Sequence, residues 1–486
     1  WNEKLYGESL FESFQSLKTA FDPDWLLNPG NVCGDVDMRE NLRFDDEYTF
    51  DPGFDAALEW DIENGMQGMV ELCHGCGGCR GPQETTGGVM CPTYRAADEE
   101  IQSTRGRANM LRGAINGELP ADPTDDEFVT EVMDLCVGCK GCAKNCPSGV
   151  DMAKLKAEVE HAHHAEHGAS LRTRLLGAFE SLAPIGSALA PLSNIPGKLP
   201  GAGILLEKTL GIARERDLPA FASESLTDWF DARGGAAVPR AEAAREVLLF
   251  PDVYTTYTNP TAGKAAVRVL EAANCHVQIP DVTGSGRPPH SKGLLDESRA
   301  TAKDTVETLT PDVEAGWDVV VVEPTDAVML QSDYADLLCG DASDVPDADV
   351  EAVGAHTYGV MEYLDVHRLD EALSFDAPTE RLTYHGHCHQ KATKKDHHAV
   401  GVLRRAGYGV DPLDSTCCGM AGSFGYEAEH YSMSQAIGEI LYEQVDESDG
   451  DVVVAPGASC STQLKDRGID AEEPPHPVEK LASALA

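Results

Sequence analysis

The sequence predicts a multidomain α+β protein in which a small α-helical, cysteine-rich domain precedes two tandem α/β lobes. The chain has 486 residues, which is too long for one hydrophobic core. Eight of its fifteen cysteines lie between Cys73 and Cys146. Beyond residue 240, short apolar runs that end in proline or glycine alternate with helical stretches, as in parallel sheets covered by helices.

The chain is strongly acidic, because 82 Asp and Glu residues outnumber 38 Lys and Arg residues and give a formal net charge of −44. Such a surface repels polyanions, which excludes nucleic acid and disfavours anionic lipid as partners of the chain as a whole. The composition predicts a halophilic protein, since salt at 1 M screens surface charges within about 3 Å. An ordinary, well-solvated soluble protein is the alternative.

The cysteines indicate a reducing compartment. We recognise no secretory signal in the sequence, and closely spaced cysteines without such a signal favour metal ligands over disulfides. No uninterrupted apolar run approaches the roughly 18 residues of a membrane span. We therefore expect a cytoplasmic protein.

Residues 1–32 are predicted to form a helix and then a turn. Apolar side chains recur on one helical face, at Leu10, Phe14, Leu17 and Phe21. Pro23, Pro29 and Gly30 then end the helical pattern. Residues 33–69 are acidic and lack a clear period, so we expect a linker with short helices.

Two cysteine blocks in residues 70–170 share one spacing. Each has the pattern C-x₂-C-x₂-C followed by a later Cys-Pro, and the two sets are Cys73, Cys76, Cys79 and Cys91, and Cys136, Cys139, Cys142 and Cys146. This pattern is typical of [4Fe–4S] clusters, in which one loop supplies three thiolates and the Cys-Pro serves the other cluster. Structural zinc is the alternative, but zinc sites rarely use two such triplets.

The exchange of the Cys-Pro residues predicts two ligand sets in a dicluster ferredoxin-like domain. Site 1 consists of Cys73, Cys76, Cys79 and Cys146, and site 2 consists of Cys136, Cys139, Cys142 and Cys91. Two [4Fe–4S] clusters in one small domain would conduct electrons. Arg105, Arg107 and Arg112 follow the first block, and positive charge near a cluster favours its reduced form; a solvated basic helix is the alternative.

Residues 171–239 are predicted to be a proline-rich connector. Between residues 175 and 206 the charged residues are Glu180 and Lys198, and the prolines that would break a long helix are Pro184, Pro191, Pro196 and Pro200. This connector either packs against neighbouring domains or offers an apolar docking surface to a membrane, a quinone or a partner.

Two α/β lobes follow, at residues 240–375 and 378–486. The predicted strands lie in EVLLFPDV and WDVVVVEP in the first lobe, and in ERLTYHG and DVVVAPG in the second. The lobes are an internal repeat, because residues 319–330 echo 452–464 and residues 284–300 echo 417–433.

The second lobe carries a third set of cysteines, the lobe site, which consists of Cys388, Cys417, Cys418 and Cys460. Each follows a predicted strand, where α/β sheets gather their ligands. Adjacent cysteines form a strained disulfide, so a shared metal centre is the better interpretation, either an iron–sulfur cluster or zinc. The nearby histidines, His385, His387 and His389, are expected to orient or hydrogen-bond the sulfurs rather than ligate directly.

The first lobe lacks these ligands. Gly284 and Ser285 stand where the paired cysteines would be, and Asp326 stands where the last cysteine would be. We therefore predict a first lobe without metal. Cys275 and Cys339 fall at no matching position, and we expect both to be small buried or incidental residues.

Four stretches together resemble a known group of proteins. Three lie in the second lobe, and the fourth spans residues 5–32: CCGMAGSFGYEAEHY, HGHCHQKA, APGASCSTQ and LYGESLFESFQSLKTAFDPDWLLNPGNV. The first three resemble the C-terminal half of fused FAD-linked oxidase/iron–sulfur proteins of the D-lactate or D-2-hydroxyglutarate dehydrogenase type, with two Cys-Cys-Gly (CCG) lobes. The fourth resembles the end of an FAD-linked oxidase domain. The chain is also similar to the iron–sulfur subunits of glycolate oxidase and anaerobic glycerol-3-phosphate dehydrogenase, and to heterodisulfide reductase.

The resemblance implies an oxidoreductase whose FAD is bound by a domain upstream of Trp1 and oxidises a 2-hydroxy acid. This chain would pass the electrons through site 1, site 2 and the lobe site to a quinone or another carrier, and it would hold no catalytic residue itself. A peripheral contact with the inner face of the membrane through residues 175–206 is a further expectation. The alternative is a thiol–disulfide reductase with catalysis at the lobe site, which the missing first-lobe cysteines oppose. Trp25, where such turns often have glycine, is a minor departure.

Overall fold

The computed structural model describes residues 2–486 except 38, 41, 43, 45–47, 82–89, 196–198, 200 and 469–470. The predictions for Lys198, Pro196 and Pro200 therefore lie outside the described residues. The chain divides into two compact units, residues 1–51 and residues 52–486. No helix in the described part of the chain is long and apolar enough to cross a membrane.

The first unit contains two helices, α1 (Asn2–Tyr6) and α2 (Glu8–Phe21). The turn after α2 is held by Asp22, whose carboxylate accepts hydrogen bonds from the backbone N–H groups of Leu26 and Leu27. The predicted helix and turn are therefore present. The apolar face of α2 is open, however, because Phe21 is 84% exposed and Leu17 is 60% exposed.

The described secondary structure of residues 52–170, which we call the helical domain, consists of helices. Its helices are α3 (Gly65–Glu71), α4 (Pro92–Ala97), α5 (Thr104–Ile115), α6 (Asp126–Phe128), α7 (Gly141–Asn145) and α8 (Met152–His167). The buried carboxylate of Glu158 in α8 accepts hydrogen bonds from the backbone of Ala57 and Leu58 and from the indole of Trp60. This contact fixes the segment before α3 to the domain.

The connector forms four short helices rather than one long one: α9 (Leu171–Gly177), α10 (Phe179–Ala188), α11 (Ala202–Leu210) and α12 (Leu226–Ala232). Several large apolar side chains on this segment are at least half exposed, namely Leu171, Ile185, Leu189, Leu192, Ile204 and Leu205. On its other side α10 buries Glu180.

The first sheet has four parallel strands: β1 (Arg245–Leu249), β2 (Cys275–Gln278), β3 (Asp318–Val321) and β4 (Thr357–Gly359). Their order is β2-β1-β3-β4, with Val247 opposite both Val277 and Asp318. The helices around it are α13 (Val253–Tyr257), α14 (Pro260–Ala272), α15 (Arg287–His290), α16 (Leu295–Glu314), α17 (Pro324–Val328), α18 (Tyr334–Leu338), α19 (Asp347–Ala355) and α20 (Val360–Val366).

The second sheet has three parallel strands: β5 (Arg381–Tyr384), β6 (Gly409–Pro412) and β7 (Val452–Val454). Their order is β6-β5-β7, with Leu382 opposite both Val410 and Val452. Its helices are α21 (Cys388–Ala392), α22 (His397–Arg405), α23 (Tyr431–Glu447), α24 (Ala458–Lys465) and α25 (Pro477–Ser483).

The two sheets share a strand order, since β2-β1-β3 corresponds to β6-β5-β7. The four strands that the sequence predicts are present as β1, β3, β5 and β7. The strands β2, β4 and β6 were not predicted, because each mixes polar residues, glycine or proline with apolar residues. One buried apolar cluster contains residues of both sheets, including Val247 and Leu382. The interpretation of the sheets as two copies of one unit stays a prediction.

Candidate metal centres

The cysteines of site 1 come from two loops of the helical domain. Cys73, Cys76 and Cys79 follow α3, and Cys146 directly follows α7. All four line a single cavity. The first loop turns tightly at Gly77, whose φ of 77° is a conformation that glycine adopts without strain. Cys76 is exposed, so site 1 lies at the protein surface.

The cysteines of site 2 lie deeper. Cys136 and Cys139 precede α7, Cys142 lies within it, and Cys91 precedes α4. Burial raises the pKa of the Cys142 thiol, and charge on Cys136 and Cys91 adds to this effect. The backbone N–H of Met152 donates to the Cys142 sulfur at 3.3 Å. Charge on Cys91 contributes to the raised pKa of both Cys142 and Cys79, so Cys91 lies close to both triplets and its assignment to site 2 stays a prediction.

The four cysteines of the lobe site converge at one end of the second sheet. Cys388 begins α21, Cys417 and Cys418 lie between β6 and α23, and Cys460 lies in α24. All four are buried. Hydrogen bonds to Cys388 and Cys418 raise the pKa of Cys417, and a hydrogen bond to Cys418 raises the pKa of Cys460. Hydrogen bonds with Cys417 and Cys460 lower the pKa of Cys418. The four cysteines therefore favour a thiolate at Cys418.

A glycine must follow the paired cysteines. Gly419 has a φ of 93°, and a Cβ atom there would lie 2.3 Å from the carbonyl oxygen of Ser434. No larger residue fits this turn without moving α23. The same turn lets the backbone N–H of Gly419 donate to the Cys417 sulfur at 3.4 Å. The Cys-Cys-Gly sequence is thus explained by close packing of the loop against the helix.

The three histidines near the lobe site differ in role. His385 bonds through Nδ1 to the hydroxyl of Ser415 at 2.6 Å, and one of its ring nitrogens lies within 4.8 Å of the sulfurs of Cys418 and Cys460. The Nδ1 of His387 instead accepts the backbone N–H of His389, at the start of α21. Burial lowers the pKa of all three, to about 4 for His387. Of the three, His385 is the one that has metal-ligand spacing with the lobe-site sulfurs.

The three sites are neighbours in a fixed order. Charge on Cys91 of site 2 contributes to the raised pKa of Cys79 in site 1, for which burial is the main cause. Cys139 of site 2 packs in one buried cluster with the lobe-site cysteines, and the charge of Cys388 contributes to its raised pKa, again after burial. Site 2 therefore lies between site 1 and the lobe site.

Contacts between the helical domain and the second sheet hold this arrangement. His389 Nε2 lies 3.0 Å from the carbonyl oxygen of Gly138, in the loop of site 2. His430 Nε2 pairs with the carboxylate of Asp134 at 2.7 Å. These bonds connect backbone that carries cysteines of both sites.

The corresponding end of the first sheet holds oxygen atoms instead of sulfur. Ser285 donates its hydroxyl to the buried carboxylate of Asp326. Glu180 of the connector accepts hydrogen bonds from the backbone N–H groups of Ser285 at 2.7 Å and Gly286 at 3.1 Å. A Cβ atom on Gly284 would lie 2.4 Å from the Glu180 carboxyl carbon. Glu180 therefore fills the space beside the loop where the second lobe has its cysteine pair.

The sequence did not predict the roles of Glu180 and Glu323. Glu323 lies beside the first sheet, and its carboxylate accepts the backbone N–H of Ala458 in α24 at 2.9 Å. Burial and the charge of Asp252 raise its pKa to about 7. The one sequence feature that could have pointed to Glu180 is that it is the sole acidic residue between residues 175 and 206.

The donor sets fit the groups predicted from the sequence. Each site offers four cysteine sulfurs, the ligands of [4Fe–4S] clusters and of structural zinc. Within the described ranges, two groups of His, Cys, Asp or Glu atoms have metal-ligand spacing: His385 with Cys418 and Cys460, and Asp365 with His397 and His398. Among the described residues, neither the first-sheet carboxylates nor the cysteines of sites 1 and 2 belong to these groups. A bound iron–sulfur cluster supplies one-electron transfer at such a site.

Comparisons with known families identify three regions of the chain. Residues 69–150 match the 4Fe-4S dicluster domain, and residues 382–465 match the cysteine-rich domain (CCG). Residues 1–32 match the C-terminal domain of FAD linked oxidases. The chain is related to the iron–sulfur parts of FAD-linked oxidoreductases. In these three regions it therefore resembles a 4Fe-4S dicluster domain, a cysteine-rich domain and the end of an FAD linked oxidase.

Relatives that align with 65–100% of the chain point to the same group of proteins. The D-2-hydroxyglutarate dehydrogenase of Escherichia coli (strain K12) is 24% identical over 535 residues, which cover all of this chain and 50% of that protein. One subunit of the anaerobic glycerol-3-phosphate dehydrogenase of the same organism is 28% identical, over 65% of this chain and 78% of the relative. The glycolate oxidase iron-sulfur subunit of that organism is 22% identical, over 89% and 94%. The chain spans about half the length of the D-2-hydroxyglutarate dehydrogenases that it matches.

Proposed function

We propose that this chain is the electron-transfer module of an FAD-linked 2-hydroxy acid dehydrogenase. Electrons enter at site 1, cross site 2 and leave through the lobe site to a quinone or another carrier. The observation that carries this proposal is the shared buried cluster of Cys139 and the lobe-site cysteines, which leaves no intervening domain between the second and third centres. The protein supplies position and environment, and the cofactors supply the redox chemistry.

The proposed ligands are those of the three sites. Site 1 binds one [4Fe–4S] cluster and site 2 binds a second. For the lobe site we propose a third iron–sulfur centre rather than zinc, because zinc has no redox chemistry and would end the path beside Cys139. His385 is proposed to orient or hydrogen-bond a ligand sulfur there, which is the usual role of a neutral imidazole near a metal site.

We propose that the electron donor is FAD on a flavin domain or subunit joined to residues 1–32. The match of this segment to the end of FAD linked oxidases supports it. The exposed apolar face of α2, which includes Leu17 and Phe21, is suited to packing on such a domain. The D-2-hydroxyglutarate dehydrogenases among the relatives favour a 2-hydroxy acid as substrate.

We further propose that the exposed apolar side chains of α9, α10 and α11 contact a lipid surface on the cytoplasmic side, where a quinone acceptor would dissolve. Residues 171–214 carry five basic and two acidic side chains, but Arg172 and Arg214 pair with carboxylates of the protein. The proposed contact therefore rests on the exposed Leu and Ile side chains, which can enter the interface.

Vesicle sedimentation tests this surface. We expect the Leu189→Glu/Leu205→Glu variant to bind phosphatidylglycerol vesicles more weakly than the wild type. The matched control is Val366→Glu, since Val366 is 48% exposed on a different helix. Equal binding by all three proteins would contradict the lipid contact.

The function itself is tested by re-oxidation. The anaerobic protein is reduced with dithionite, excess reductant is removed, and a soluble quinone is added while iron–sulfur absorbance is followed. We expect rapid re-oxidation of the wild type and slow re-oxidation of Cys418→Ser, in which the exit is lost while sites 1 and 2 stay loaded. Equal rates would show that the lobe site is not the exit. We do not propose a thiol–disulfide reductase, since Ser285 and Asp326 stand in the place of a second set of thiolates.

A further inference from the structure

Arg107 in α5 is buried without a carboxylate partner. Its side chain is 1% exposed. Nε donates to the carbonyl oxygen of Val132 at 2.9 Å, and Nη2 donates to the side chains of Gln102 at 2.5 Å and Thr93 at 3.3 Å. Nη1 donates to the backbone carbonyl oxygen of Gln102 and lies 3.8 Å from the sulfur of Cys91. The oxygen acceptors are all neutral, and no ion pair to Arg107 is found in the part of the chain that the structure describes.

A buried, permanently charged guanidinium requires compensation. Arginine stays protonated in proteins, and hydrogen bonds to neutral oxygens do not cancel its charge. Among its described contacts, the group that can become anionic is the Cys91 sulfur. A [4Fe–4S] cluster with four thiolate ligands carries net negative charge, and that charge helps to set its potential. We therefore infer that the negative charge that balances Arg107 belongs to a group bound at site 2.

The neighbouring Arg105 provides a contrast. It lines the cavity of site 1, but its guanidinium forms two hydrogen bonds with the carboxylate of Glu100, at 2.7 and 2.9 Å. Of the lysines near site 2, Lys140 pairs with Asp333 and Lys156 with Glu160, whereas the half-buried Lys144 donates to the carbonyl oxygen of Lys391. Among these described cations, Arg107 is the one that is fully buried without an ion pair.

We propose that Arg107 is the counter-cation of site 2 and raises the reduction potential of the centre bound there above that at site 1. This inference rests on the proposed function. One electron then moves from the reduced centre of site 1, which is oxidised, to that of site 2, which is reduced, and no bond or proton changes. Burial of site 2 opposes its reduction, because a low dielectric disfavours added negative charge. The guanidinium beside Cys91 offsets this penalty and directs electrons inwards.

Redox titration monitored by electron paramagnetic resonance tests the proposal on the reconstituted full chain in high salt. In Arg107→Gln we expect the reduction equilibrium at site 2 to shift at least about tenfold towards the oxidised form, or 59 mV for one electron. Arg107→Lys keeps the positive charge, so the potential of site 2 should stay close to the wild-type value. Arg105→Gln is the matched control, and it should leave the potential of site 2 unchanged.

A second variant covers the case in which Arg107→Gln fails to assemble. Gln102→Glu keeps the arginine and places a carboxylate at the oxygen that Nη2 already contacts. It should shift the potential of site 2 in the same direction as Arg107→Gln. Iron content is measured for every protein: lack of iron–sulfur clusters in the wild type would overturn the proposed function. Loaded variants with an unchanged potential at site 2, or an equal shift in Arg105→Gln, would overturn the role of Arg107 alone.

Discussion

The two parallel sheets end in loops at matching places, and the loops carry different chemistry. After the second sheet, Cys388, Cys417, Cys418 and Cys460 bring four sulfurs together. After the first sheet, Glu180 and Asp326 bind the backbone and hydroxyl of Ser285. One loop arrangement is thus suited to a metal centre and the other is completed by hydrogen bonds within the protein. Hydrogen bonds within the protein complete the loop of the first lobe without metal ligands.

Protonation also distinguishes the two ends. Burial together with the charges of Asp252, Glu180 and Glu323 raises the pKa of Asp326 well above its usual value. A protonated carboxyl group can stay in such a site without a counter-ion. In the lobe site, by contrast, the pKa of Cys418 is lowered by hydrogen bonds from its neighbours, which prepares a thiolate ligand. The carboxyl groups at the end of the first sheet are stable when protonated. The lobe site is suited to deprotonation and metal binding.

The largest effect on iron content is expected from Cys418→Ser in the second lobe. It should remove the lobe centre and leave sites 1 and 2 loaded, so iron should fall from about twelve to about eight atoms per chain. Iron analysis and the cluster signals in electron paramagnetic resonance measure this. Cys339→Ser, a half-buried cysteine outside the three sites, is the control and should keep all the iron. Loss of the signals of sites 1 and 2 in Cys418→Ser would refute the separation of the centres.

Glu180→Ala is the matching test in the first lobe. It leaves the buried N–H groups of Ser285 and Gly286 without their acceptor, which should lower the free energy of unfolding by about 2–3 kcal/mol. Metal content should not change. Urea unfolding measures the effect, with the part-exposed Glu207→Ala as a control that should cost less than about 0.5 kcal/mol. A loss of iron in Glu180→Ala would mean that the first lobe also takes part in metal binding.

Glu323 should make the stability of the protein depend on pH. Its pKa is about 7 in the folded protein, above its ordinary value, so the folded state holds this proton more tightly than the unfolded state does. Its contribution to stability is complete at low pH and is lost as the pH rises from about 4.5 to about 7. Urea midpoints at pH 5 and pH 8 should therefore differ less in Glu323→Gln than in the wild type. An unchanged difference would show that Glu323 does not titrate in this range.

The smallest effect is expected when the first lobe is given cysteines. The Ser285→Cys/Asp326→Cys variant should bind no additional iron, because Glu180 still fills the space beside Gly284 and two sulfurs do not complete a cluster site. Iron and sulfide per chain measure this outcome. A gain of about four irons would show that side-chain identity alone, and not the filled space, separates the two lobes.

The sequence predicted four of the strands, because continuous apolar runs such as the valines of β3 stand out from their surroundings. The cysteine ligand sets were predicted from the fixed spacing of a cluster-binding loop, and they stay predictions. It could not predict the contact between Glu180 and Ser285, which joins residues 105 positions apart. Nor could it separate Arg105 from Arg107: the two lie two residues apart on α5, yet one pairs with Glu100 and the other is buried beside Cys91.

The proposed electron path depends on the lobe site being a redox centre. Iron, zinc and acid-labile sulfide per chain, measured on anaerobically purified protein in high salt, test this directly. The account predicts about twelve irons, a matching amount of sulfide and no zinc, from three four-iron centres. About eight irons with one zinc would contradict it, since a tetrahedral zinc held by Cys388, Cys417, Cys418 and Cys460 would be structural and the path would end at site 2.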